Sequence, residues 1–275
     1  MTLLILGLLL LALMALIGGE RGALSFLLLL GDAFLCFLGT LLLSYGVSPA
    51  GVLSVGCLLL LVLTVPAQNG FNRKTLTVLL ASAILLIPTA AVIGAVCSGA
   101  HLVGLDEFQA VQTENSYLSS GVQVNLQLIM LGSLLLGQLG GITDTGMTVV
   151  SALHEVRENQ PDLPRRELFR AGMQLGRDII GTTISTLAFI AFGEGVLLCL
   201  LYTADGYSLT VVLNSKSFFQ QFGGILLSCE SCLLVIPLSV WIYLAQLRSP
   251  RMNAFWARTE QRRSGGKSDG AERGS

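Results

Sequence analysis

Charge is what this sequence has least of. Only 12% of its 275 residues are Asp, Glu, Lys or Arg, about half the share a soluble domain carries. With 53% hydrophobic residues and a mean hydropathy of +0.74, a nucleic-acid-binding domain and a cytosolic enzyme are excluded. Histidine is nearly missing as well. His154-Glu155 begins like a zinc-protease helix, but Glu158 stands where the second histidine ligand belongs. No GxGxxG, P-loop or intramembrane-protease GxGD motif occurs, so no enzymatic activity and no cofactor or metal is expected. The six cysteines mostly lie inside apolar runs, where Cys behaves as a small buried hydrophobe. Only Cys97 approaches an outer boundary, so a disulfide framework is not implied. Cys229 and Cys232 form a CxxC in a membrane helix with no second pair, too little for a zinc or redox site.

What is present is a series of apolar runs near the roughly 20 residues that cross a bilayer as helix. The pattern predicts an all-α, polytopic bundle of about seven spans: Thr2–Gly19, Ala23–Leu43, Ala50–Val65, Thr75–Cys97, Val122–Leu153, Ile179–Tyr202 and Phe218–Leu247. The first run lacks a basic leader and is expected to be an uncleaved helix. Asp32 lies inside the second, and Pro88 is expected to kink the fourth. The fifth is 32 residues long with Asp144 as its one charge, so it must tilt, break near Gly140-Gly141 or project beyond the membrane. A polar loop at 98–121 carries His101, read as a plain solvated residue. The connector from Glu155 to Arg170 includes a short surface helix at Arg165–Arg170. Residues 1–247 thus form the transmembrane domain, and 248–275 a basic, disordered tail.

Orientation follows from the basic residues. Fifteen of the sixteen Lys and Arg fall on the side of the Glu20–Gly22 turn, the 66–75 loop, the 154–178 connector and the tail; Lys216 alone falls on the other. The positive-inside rule makes the crowded side cytoplasmic, with the N-terminus outside and the C-terminus inside a bacterial cytoplasmic membrane.

Polar groups within the spans are the candidate site. An ionised carboxylate near the bilayer centre costs at least about 2.5–3.5 kcal/mol and needs a partner, a proton or water. Asp144, Thr148, Ser151 and Glu155 recur at i, i+4, i+7 and i+11, one helical face. Gly137 and Gly141 form a GxxxG behind it. On the sixth span Asp178, Thr182 and Ser185 share a face, with Thr186 beside it. If the two faces meet, Asp144 and Asp178 become neighbours and Arg177 a counter-charge, an arrangement suited to handling an ion or proton. Glu194, between two glycines, is expected near an interface; Asp32 and Glu230 could each pair within the bundle.

Gly141-Ile142-Thr143-Asp144-Thr145-Gly146-Met147, Ser151-Ala152-Leu153-His154-Glu155, Glu167-Leu168-Phe169-Arg170-Ala171-Gly172-Met173 and Gly176-Arg177-Asp178-Ile179-Ile180-Gly181-Thr182 closely resemble the YibE/F-like family of bacterial membrane proteins. The loop Asn69-Gly70-Phe71-Asn72-Arg73-Lys74-Thr75 is similar too, and the resemblance covers roughly residues 50–247. It implies a multi-pass protein of the cell membrane, often encoded in tandem, with this chain similar to the shorter partner. Thr183 and Ser185 stand where the family usually has Met and Asn. A fainter similarity joins the 144–186 region to the membrane half of SecD/SecF-type proton-driven proteins. The expected function is a transporter or permease subunit, coupled to protons or cations through Asp144. The alternative is a scaffold or regulatory subunit. The expected partners are the lipid bilayer and either a longer YibE/F-like protein or further copies of the chain.

Overall fold

The structure, a computed structural model, describes residues 2–99, 126–204 and 206–248. The expected 98–121 loop beyond Gly99, with His101, and the tail after Arg248 lie outside the described residues. The elements are α1 (Thr2–Ser44), α2 (Pro49–Asn69), α3 (Arg73–Gly99), α4 (Leu126–Asn159), α5 (Arg165–Ala204), α6 (Leu209–Leu213), α7 (Lys216–Phe218), a π turn (Phe219–Gly223) and α8 (Gly224–Arg248). There is no strand among the described residues.

α1 holds both of the first two expected spans. They meet at Gly19, whose φ of 58° and ψ of −138° break the helix in a region a side chain strains to reach. A Cβ placed on Gly22 would lie 1.8 Å from the carbonyl oxygen of Met14. Eight residues of straight helix would separate these positions by about 12 Å, so the chain bends sharply here. No described residue of α1 is buried. Its second half docks on α2, where the Thr64 hydroxyl donates to Asp32 Oδ1 at 2.7 Å, giving one intramembrane acid a partner.

Among the described residues, five helical stretches are long and apolar enough to cross a membrane: α1, α2, α3, α5 and the run from Lys216 to Arg248. This differs from seven because α1 counts once and α4 is not among them. α4 is nonetheless the centre of the bundle, packed against α2, α3, α5 and α8. Val149, Val150 and Leu153 of α4 share an apolar core with Val78, Leu168, Ile236, Val240 and Tyr243. Ile142 joins Ala81, Leu85 and Val235, and Leu139 meets Leu61 and Val65 of α2.

α3, α4 and α5, unlike α1, run unbroken. α4 passes straight through Gly140-Gly141 to Asn159, which leaves tilt or projection to absorb its excess length. α3 likewise continues through Pro88. The expected surface helix at 165–170 is instead the first turns of α5, a 40-residue element about 60 Å long, twice the roughly 30 Å hydrocarbon core.

Glycines set how closely α8 is approached. The GxxxG expected at Gly137 and Gly141 is half used: Gly137 faces open space, while a Cβ on Gly141 would lie 3.0 Å from Cys232 Sγ. The pair that seats α5 on α8 is Gly172 and Gly176. A Cβ there would lie 2.8 Å from Val240 Cγ2 and 2.3 Å from Ile236 Cγ2 respectively. Gly176→Ala is therefore expected to destabilise by about 1–3 kcal/mol through overpacking. Gly181→Ala, with nothing within 4 Å, should be neutral. Thermal unfolding of the two purified variants in detergent checks the contrast.

Candidate functional site

The contacts at the glycines place the two candidate acids at one depth. Gly146 abuts Val235 and Gly176 abuts Ile236, adjacent residues of α8. Asp144 and Asp178 each lie two residues from these contacts, and both lie on the side of them away from Arg157 and Arg165. From His154, level with Tyr243, Asp144 is ten residues or about 15 Å further along α4.

Their side chains, however, do not face a shared interior. Asp144, Thr148 and Glu155 are exposed and Ser151 is half-buried; Asp178, Arg177, Thr182, Ser185 and Thr186 are all exposed. The apolar residues of α4 occupy the side turned to the core, so the polar stripe points outward by the same period that made it visible. Arg177 forms no ion pair with either acid. Thr148 donates to the Asp144 carbonyl at 2.8 Å, and Thr182 to the Ile179 carbonyl at 2.7 Å. These hydroxyl protons are spent on their own helix, while their lone pairs stay available. Glu194 sits within α5, but its side chain lies outside the described set.

The polar groups that the fold does bring together are different ones. Between α3, α4 and α8, Gln138, Thr145, Ser82, Ser231, Ser239 and Thr77 are buried to 1% exposure or less. The contacts of neighbouring residues order them. At one end Ser231 donates to Gln138 Oε1 at 2.9 Å, beside a cavity of about 60 Å³ lined also by Thr89 and Glu230. Next come Thr145, beside Cys232, and Ser82; then Ser239 and Thr77. At the other end His154 Nδ1 meets the Tyr243 hydroxyl at 2.7 Å. Gln138 Nε2 and Ser82 Oγ have no hydrogen-bond partner, and Thr145 Oγ1 has only the weakly bonding Cys232 thiol beside it. Buried polar groups in a bundle are nearly always satisfied, so the row holds unused hydrogen-bonding capacity, and the cavity beside Gln138 is large enough for water. Asp144 borders this row from outside, close enough to Cys232 to act on it electrostatically.

One member of this row carries a signal in the sequence: Ser239 lies with Ser228, Cys232 and Gln246 along one face of the last helix. The rest is spread over three helices and emerges only when they pack. Thr145→Val and Ser82→Ala should leave the unfolding temperature unchanged or raised, since each removes a buried hydroxyl that makes no strong hydrogen bond. Ser231→Ala should cost about 1–3 kcal/mol by stranding the buried Gln138 carbonyl. Thermal unfolding in detergent reads all three.

No curated protein matches the chain, and no solved structure does. Residues 6–249 match the family model described as YibE/F-like protein. With nearly the whole helical bundle inside that match, and apolar helices long enough to span a bilayer, this chain is a membrane protein that belongs to the YibE/F-like family.

Proposed function

We propose that this chain is a membrane subunit of a transporter or permease for protons or small cations. Its route is the buried polar row between α3, α4 and α8. The observation that carries the reading is the set of open hydrogen-bonding positions at Gln138, Thr145 and Ser82, deep among apolar helices. Hydroxyls and amides both donate and accept, so such a row can pass a proton or replace part of a cation's hydration shell. Asp144 is the protonatable group beside it, and Asp178 stands at the same depth on the next helix. Both face away from their own bundle. A carboxylate exposed there to lipid carries the insertion cost, and a neighbouring subunit that covers the stripe removes it.

That same exposure supports the second reading, a non-transporting subunit that scaffolds or regulates a longer YibE/F-like protein or assembles with its own copies. Interfaces between membrane helices favour small and hydroxyl-bearing residues. In that case Gly137, Asp144, Thr148 and Ser151 are contact surface alone.

The two readings separate in proteoliposomes. Under the transport reading Asp144→Asn and Thr145→Val assemble like the wild type. Their ion flux, followed with a pH-sensitive dye or cation indicator, falls by at least about tenfold, equivalent to 1.4 kcal/mol of barrier. Wild-type flux in both variants would end the coupling proposal. No flux in the unaltered protein, with an oligomer weakened by Asp144→Asn, would establish the scaffold.

A further inference from the structure

At the arginine-bearing end of the bundle a second cavity, of about 510 Å³, opens among α3, α4, α5 and α8. Arg73, Arg157, Arg165, His154 and Tyr243 line it, and none of its described lining residues is a carboxylate; Asp162 lies in the linker between Pro161 and Leu163. α3 and α5 begin at Arg73 and Arg165 while α4 and α8 end beside the same cavity, so the helix dipoles offset one another and the positive charge is that of the three guanidinium groups. The linker between α4 and α5 closes one side through Pro161 and Pro164, held by a bond from Arg157 Nη1 to the Leu163 carbonyl at 3.4 Å. The nearby acid Glu158 is engaged with His154 Nε2 at 3.1 Å. His154 in turn meets Tyr243, whose ring is fully buried, so the polar floor of the cavity is braced before any ligand arrives.

Three guanidinium groups from three helices converge on one concavity. Guanidinium forks match the oxygens of phosphate, bidentate and charge-assisted. The cavity falls within the size range of small-molecule pockets, larger than inorganic phosphate needs. We propose that it binds a phosphate-bearing anion, with Arg73, Arg157 and Arg165 on the phosphate oxygens. The attached group extends along Leu168 and Leu247, beside the Tyr243–His154 pair. Two sources share this chemistry: the headgroup of an anionic phospholipid and a soluble phosphate compound. The site adjoins one end of the polar row, with which it shares His154 and Tyr243, and it stands whether or not the chain transports.

The test uses the full-length chain reconstituted in phosphatidylcholine, with thermal unfolding as the readout. One arm titrates phosphatidylglycerol into the bilayer; the other adds inorganic phosphate at constant ionic strength. Stabilisation by phosphatidylglycerol alone assigns a lipid headgroup, and stabilisation by phosphate assigns a soluble ligand. In either case Arg157→Ala and Arg73→Ala should shift the half-effect concentration upward by at least about tenfold, the loss of one charge-assisted hydrogen bond. Arg157→Lys should shift it less, and Arg166→Ala, whose residue is not in the lining, should leave it in place. No stabilisation in either arm, or an equal response in the wild type and both alanine variants, overturns the proposal.

Discussion

The close approach of α8 to its neighbours is the contact on which the rest of this bundle depends. Gly141 and Gly146 on α4, and Gly172 and Gly176 on α5, put backbone where a side chain would otherwise hold the helices apart. Lipid tails are as apolar as leucine, so helices in a bilayer associate through packing and hydrogen bonds rather than through the hydrophobic effect. The short distances made possible by these glycines bring Val235, Ile236 and Val240 into contact with α4 and α5. They also enclose Gln138, Thr145 and Ser231 away from lipid. The polar row exists because the apolar packing around it is tight.

Two kinds of polar residue result, with opposite settings. The row faces inward and has donors and acceptors in excess of its partners. The Asp144 stripe faces outward from the same helix, and the Asp178 stripe faces outward from the next. α4 is therefore polar on two sides, against α3 and α8 on one and toward the surroundings of the monomer on the other. A helix of that kind suits the junction of a conduction path with a subunit interface. The basic cavity lies at one end of the inner row, so His154 and Tyr243 belong to both the row and the cavity.

The helical class and most element positions were legible before any coordinates, because a bilayer-length apolar run has few alternatives to helix. The basic residues assigned to one side also gather: Arg73, Arg157 and Arg165 line a single cavity. Boundaries were less legible. Arg165–Arg170 reads as a separate amphipathic helix because its composition changes at Gly172. Composition says nothing about whether the backbone stops there, and it does not. At Gly19 the sequence shows two spans separated by a short polar patch, and the structure makes them one element with a sharp bend.

For the site, periodicity picked out one polar face of α4 and could not say which way that face turns. A stripe at i, i+4, i+7 looks the same whether it lines a cavity or a subunit surface, since helix period is a local property and rotation about the helix axis is set by neighbours. The sequence alone determined that this chain is a helical membrane protein with acids and hydroxyls in register along two of its helices. The packing alone decided that those acids look outward, that Asp32 bonds to Thr64, and that Gln138, Thr145 and Ser82 share a buried interior. Those outcomes depend on contacts between residues tens of positions apart, which no single-helix pattern encodes.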